Sequence, residues 1–173
     1  MNQEEIQKME QFVEWARAGY ESVKDDPRLN RTGITYAHML ADYENDEMTQ
    51  YGICLVGCAY LGYKKISIDQ ALESITEHPD YQPHFDKASN LSVVMGRWGK
   101  SINFPDIKLE QLNSIDFGEY RKHVNMFEEY RILKFDFSDE FNIRYFIMYL
   151  NDLENLPPLI TLELAQKVID SLK

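Results

Sequence analysis

Two histidines and three carboxylates fall within ten residues, Glu77-His78-Pro79-Asp80-Tyr81-Gln82-Pro83-His84-Phe85-Asp86. Imidazole and carboxylate suit zinc, manganese or iron, so His78, Asp80, His84 and Asp86 are the candidate metal ligands. A metal site needs donors converging from rigid elements, whereas two prolines mark this stretch as a helix-to-helix turn. No His-Glu-x-x-His or Cys-x-x-Cys pattern accompanies it. The only cysteines, Cys54 and Cys58, stand four apart in Gly52-Ile53-Cys54-Leu55-Val56-Gly57-Cys58-Ala59. One turn apart on a helix, they read as free thiols serving as small apolar residues, in keeping with a reducing cytosol. Apolar neighbours favour the neutral thiol over a nucleophile. No Gly-x-Ser-x-Gly occurs. Met95-Gly96-Arg97-Trp98-Gly99-Lys100-Ser101 ends like a phosphate loop, but Val94 stands where its first glycine belongs. That stretch is expected to close a helix instead.

Aromatic residues are the other chemistry on offer, with 11 Tyr, 9 Phe and 2 Trp. Tyr43, Tyr81, Tyr120 and Tyr130 sit beside charged residues and are expected to be half-exposed. Tyrosine suits interfaces because its ring is apolar while its hydroxyl stays wet. Trp15 lies off the apolar stripe of its helix, on a side whose neighbours Ala18, Gly19 and Ser22 are small. Either a second helix covers that side or a partner does. Trp15, Tyr43, Tyr120 and Tyr130 are therefore the candidate partner-binding residues.

The elements that must position these groups read as helices. Residues 3–24 carry an apolar stripe, Ile6, Met9, Val13, Ala16, Tyr20 and Val23, stopped by Pro27. A weaker helix is expected over 33–43, then an acidic loop from Asp42 to Glu47. A helix over 49–62 holds Cys54, Gly57, Cys58 and Ala59, small enough for a neighbouring backbone to approach. Ser67 with Gln70 is a capping-box pattern opening a helix to about His78. Residues 85–98 repeat Ala88, Leu91, Met95 and Trp98 at helical spacing. Pro105 suggests a short helix over 105–113, and Asp116-Phe117-Gly118-Glu119 opens another to about Leu133. Ser138 is expected to cap a helix over about 139–153, whose Phe141, Tyr145, Phe146, Met148, Tyr149 and Leu150 make it the central apolar element. Arg144, its one strong cation, is expected to reach a carboxylate or to snorkel outward. Asn151 and Asp152 can bond to the turn that follows. Thr161 is expected to cap a last helix with the stripe Leu164, Ala165, Val168, Ile169 and Leu172. Strand signals are confined to Ile132–Phe137 and the neighbourhood of Ile34, with no hairpin turn between them. The expected fold class is all-α: a compact bundle of six to eight helices spanning 1–173 as a single domain.

The 173 residues are 44% hydrophobic and 27% charged, a globular mix. The formal net charge is −11, with a neutral middle (51–100) between acidic ends. Nucleic-acid binders draw affinity from basic patches, so direct nucleic-acid binding is not expected. The longest near-apolar run, Ile53 to Gly62, is too short to span a bilayer, and Met1 to Glu5 shows no leader pattern. A cytoplasmic location follows as the expectation.

Cys54-Leu55-Val56-Gly57-Cys58 and Leu150-Asn151-Asp152 resemble two motifs of a family of uncharacterised helical domains of bacteria and phages. Those domains carry a small-residue helix of the type Cys-Ala-Leu-Gly-Ala and a late apolar helix closing in Trp-Asn-Asp; Leu150 stands in place of that tryptophan. The resemblance implies a compact helical fold and a bacterial or phage origin, and no activity. With no cofactor motif present, the expected function is that of an acidic cytoplasmic binding protein without catalysis, for instance a phage-encoded modulator or inhibitor of a host or defence protein. Its partner is a protein rather than nucleic acid or membrane, and a homo-oligomer is compatible. The alternative is a metal-dependent hydrolase of nucleotides or phosphoesters using His78, Asp80, His84 and Asp86.

Overall fold

Ser67 and Gln70 build the reciprocal cap that their spacing predicts. Gln70 N–H donates to Ser67 Oγ at 3.1 Å, and Ser67 N–H donates to Gln70 Oε1 at 2.9 Å. In the computed structural model, which describes residues 1–30, 37–134 and 140–173, this helix is one of seven among the described residues. In chain order the elements are α1 (Gln3–Val23), β1 (Met39–Glu44), β2 (Glu47–Ile53), α2 (Leu55–Lys64), α3 (Ile68–Ser74), α4 (Lys87–Ser101), β3 (Ile107–Lys108), α5 (Arg121–Lys134), β4 (Glu140–Phe141), α6 (Ile143–Met148) and α7 (Pro158–Asp170). None of these helices is long and apolar enough to cross a membrane.

The all-α expectation is overturned. The protein is mixed, mostly helical with two small antiparallel sheets among the described residues, β1–β2 and β3–β4. Residues 39–43 belong to β1 rather than to a helix over 33–43, whose earlier part lies outside the described residues. Residues 49–53 complete β2, so the helix expected from 49 starts only at Leu55. The turn between the strands is Asn45-Asp46, both with positive φ (50° and 64°), the backbone that a two-residue hairpin requires. Asn-Asp tolerates that conformation less conspicuously than Asn-Gly, so the segment reads as an acidic loop. The ladder runs from Met39 opposite Ile53 to Glu44 opposite Glu47, with a bulge at Asp42/Tyr43. Met39 and Tyr51 are the buried side chains of this hairpin, too few to print a period-two signal.

The chain divides into two compact units, and α1 contributes to both: Met1–Val13 with 103–173, and Glu14–Ile102. In the first unit, the expected central element is realised in part. Position 139 and the proposed cap Ser138 lie outside the described residues. Instead Asn142 caps α6, its Oδ1 accepting from Tyr145 N–H at 3.1 Å. A single π-helical turn, Tyr149–Leu153, follows. Ile143, Phe146, Ile147, Tyr149 and Leu150 are buried there, and Phe127 packs its ring on Phe141, Phe146 and Tyr149. Pro158 opens α7 at a first-turn position where its missing N–H costs nothing; Thr161 is a buried helix residue rather than the cap. The short helix expected over 105–113 is β3 and a 3-10 segment, Leu109–Ser114. Ile132, read as a strand residue, belongs to α5; 135–137 and Ile34 lie outside the described residues.

In the second unit, the segment after α1 is tied down by charge. Arg28 bridges Asp26 (2.8 Å) and Asp69 (3.0 Å), and the Tyr51 hydroxyl donates to Asp26 at 3.1 Å. The Arg28 guanidinium pulls the Asp26 carboxyl down to about 2. Because the folded value lies below the unfolded one, the folded state binds fewer protons, and stability is lost as pH falls through this window. Asp26→Asn is expected to cost about 2 kcal/mol at pH 7, shrinking to about half by pH 3. Urea midpoints of the two proteins at both pH values check this; a pH-independent difference would refute the ion-pair account.

Candidate functional site

Glycines decide where the aromatic rings of the second unit meet. A Cβ at Gly62 would overlap the main-chain carbonyl of Trp15, and one at Gly19 would overlap that of Cys58. Helices α1 and α2 therefore cross backbone on backbone, as the small residues of both helices allow. The crossing sets Trp15 beside the end of α2, and α4 supplies a third wall. Trp15 packs edge-on against Tyr63, with centroids 4.9 Å apart. Tyr63 stacks on Trp98 at 5.2 Å with 29° between planes, and Tyr60 meets Trp98 edge-on at 5.6 Å. Trp15 and Trp98 lie 6.1 Å apart. Offset and edge-on ring pairs contribute about 0.5–1.5 kcal/mol each beyond area burial. Tyr60 is buried, and that burial raises its hydroxyl pKa. Trp15 and Trp98 are half-buried and Tyr63 is 44% exposed, with Lys64 Nζ 5.6 Å from its ring centroid. The cluster is thus an aromatic face rather than a closed core. Trp15 is thus packed against α2 and α4, and its ring cluster still reaches solvent.

Sequence reasoning found Trp15 but not its partners. Trp98 carries a helical core spacing in α4, and Tyr63 lies in the last turn of α2, one residue after Gly62. The usable signal was Gly62 itself, a small residue marking where another backbone arrives. Tyr43 stands apart from this trio, exposed on β1 with Asp86 of the α4 N-terminus near it. Tyr120 and Tyr130 belong to the first unit. Tyr120 is half-buried with its ring 6.5 Å from His123, and Tyr130 lies 5.4 Å from the Tyr149 ring.

The four metal candidates take up other contacts. His78 Nδ1 accepts from Asp80 N–H at 3.1 Å, and Asp80 pairs with Arg97 at 2.8 Å. His84 packs on Phe85, centroids 4.3 Å apart. Asp86 caps α4, accepting from Ser89 N–H at 2.7 Å and Ser89 Oγ at 3.0 Å. Among the described residues no three His, Cys, Asp or Glu side chains converge on one point. The Gly-Lys-Ser stretch forms the last turn of α4, with Ser101 Oγ donating to Trp98 O.

The first unit holds a polar arrangement around the π-helical turn. Glu154 accepts the Tyr149 hydroxyl at 2.9 Å and stands 3.1 Å from His123 Nδ1. A carboxylate on Nδ1 fixes the imidazole orientation. Asn151 Nδ2 donates to Leu156 O at 3.1 Å, the turn-closing bond expected of it. Burial pushes the Asp152 carboxyl up to about 7. Two guanidinium nitrogens of Arg144, Nε and Nη1, are buried without a hydrogen-bond partner among the described residues, and burial lowers its pKa.

Compared with known proteins, the chain matches no family model, no curated protein and no solved structure.

Proposed function

We propose that this acidic protein acts by occupying the surface of a partner protein, and that Trp15, Tyr63 and Trp98 form the contact. The observation that carries this reading is the meeting of three half-exposed rings from three helices on one face. Interfaces draw most of their energy from a few aromatic anchors near their centre. Such a contact is driven by removal of apolar surface from water and survives salt, unlike a basic cleft gripped by an acidic surface. A metal-dependent hydrolase would need His78, Asp80, His84 and Asp86 to share one ion. Their present contacts lend that alternative no support. In keeping with the motif resemblance, the partner is proposed to be a bacterial protein met in the cytoplasm, as for a phage-encoded modulator.

Immobilised protein is expected to retain one bacterial protein through a wash of about 0.5 M salt. Tyr63→Ala, which removes an exposed ring, is expected to weaken that capture by about tenfold or more. Retention abolished by salt, or unaltered by Tyr63→Ala, would overturn the aromatic contact in favour of the charged surface.

A further inference from the structure

Neither cysteine belongs to a nucleophile motif in the sequence, yet the fold places an imidazole on one of them. Cys54 Sγ lies 3.2 Å from His38 Nδ1. The position of His38 is built from four sides. Its main-chain N–H donates to Ser92 Oγ at 3.0 Å, and its carbonyl accepts from Cys54 N–H at 3.1 Å. Gly96 makes room for the ring: a Cβ there would stand 2.7 Å from Cδ2 and 2.8 Å from Nε2. Gly57 makes room for the main chain: a Cβ there would stand 2.8 Å from His38 O. Two helices thus leave out side chains where this histidine sits. Cys54 itself is the residue preceding α2, with extended φ and ψ of −83° and 170°. A helix N-terminus favours negative charge. Cys58, like Cys54 in no disulfide, follows one turn later, its N–H donating to Cys54 O at 2.9 Å.

We propose that His38, Cys54 and Cys58 form a peroxide-responsive dithiol. Cys54 is the attacking thiol, His38 the positioning residue that holds its proton, and Cys58 the resolving thiol. Sγ of Cys54 passes its proton to His38 Nδ1, and the thiolate attacks one oxygen of hydrogen peroxide. The O–O bond breaks, and the departing hydroxide takes the proton back from Nδ1 as water. Cys54 is left as a sulfenic acid. Cys58 Sγ then attacks that sulfur; the S–O bond breaks and a second water leaves. Two thiols and one peroxide give one disulfide and two waters, the two electrons passing from sulfur to peroxide.

The geometry sets the oxidant and the consequence. Cys54 is 2% exposed, so the oxidant must be small, and hydrogen peroxide is of nearly water size. Helical residues four apart have Cβ atoms about 5–6 Å apart, against about 3.8 Å in a disulfide. Closing the bridge therefore requires the first turn of α2 to tighten. Cys54 can supply that movement, because its φ and ψ are not helical. The β2–α2 junction would be remodelled by oxidation.

The test is peroxide titration of the folded, full-length protein, read by peptide mass spectrometry with dimedone as the sulfenic-acid trap. A Cys54–Cys58 disulfide is expected in the wild type, a dimedone adduct on Cys54 in Cys58→Ser, and an unoxidised Cys58 in Cys54→Ser at the same dose. His38→Gln is expected to slow Cys54 oxidation at least tenfold in the folded protein and not in urea. Oxidation of Cys58 first, thiols that survive until urea is added, or a folded His38→Gln as fast as the wild type would each overturn the proposal. If His38→Gln does not fold, the order of oxidation in the two serine variants decides.

Discussion

Replacing Gly62 by alanine is expected to cost the protein about 3 kcal/mol or more of stability. Alanine in a helix interior would ordinarily gain about 1 kcal/mol over glycine, and here that gain is overwhelmed. The added methyl would overlap the main-chain carbonyl of Trp15, and its nearest neighbours are all backbone atoms of α1. A side chain can change rotamer, but a helix backbone can only move away as a body. Interiors are packed at crystal-like density, so separating α1 from α2 leaves poor contacts along both. Gly19→Ala should act alike, since its methyl would meet the main chain of Cys58. The crossing also holds the aromatic face together, so tryptophan fluorescence should shift even before unfolding. Denaturant titrations with fluorescence detection read both effects. A loss below about 1 kcal/mol would mean that the helices do not touch backbone to backbone.

Asp152→Asn is expected to move stability in the opposite direction, by about 2 kcal/mol at pH 8. Asp152 lies in the π-helical turn, and burial alone raises its carboxyl to about 7. Between its unfolded value near 4 and about 7, the folded state binds more protons than the unfolded one. Stability therefore falls as pH rises across that window. The full shift would correspond to about 4 kcal/mol, reduced because the side chain is only half-buried and water reaches part of it. Asparagine keeps the shape and removes the charge. The two proteins should be equally stable at pH 4, diverge up to about pH 7 and differ by a nearly constant amount from there to pH 8. Urea midpoints measured across that range test it, and equal stabilities at pH 8 would show Asp152 to be well solvated.

Much of the local structure was legible. The capping box at Ser67 and Gln70 forms as written, because both partners lie within one turn. Of the first stripe Met9, Val13, Ala16 and Val23 are buried and Ile6 and Tyr20 half-buried; of the last, Leu164, Ala165, Val168 and Ile169 are buried and Leu172 half-buried, because helical period and a single wet face suffice to predict most of each. The hairpin was not legible. Its ladder is made of main-chain bonds, which leave no mark on residue type, and with Met39 and Tyr51 as its buried side chains it shows no alternation. The sequence also placed Asn151 correctly in its turn but gave no sign that Asp152 beside it would be desolvated.

By itself the sequence determined the acidic charge, the positions of most helices and Trp15 as a residue out of register with its own helix. Each follows from composition or from neighbours within a turn or two. Only the tertiary structure decided that Tyr63 and Trp98 join Trp15, and that His38 meets Cys54. Those pairings depend on how closely whole helices approach, which is set by the missing side chains of Gly19, Gly57, Gly62 and Gly96. An absent side chain shows that space exists but not what fills it, and that is fixed only when the backbones pack.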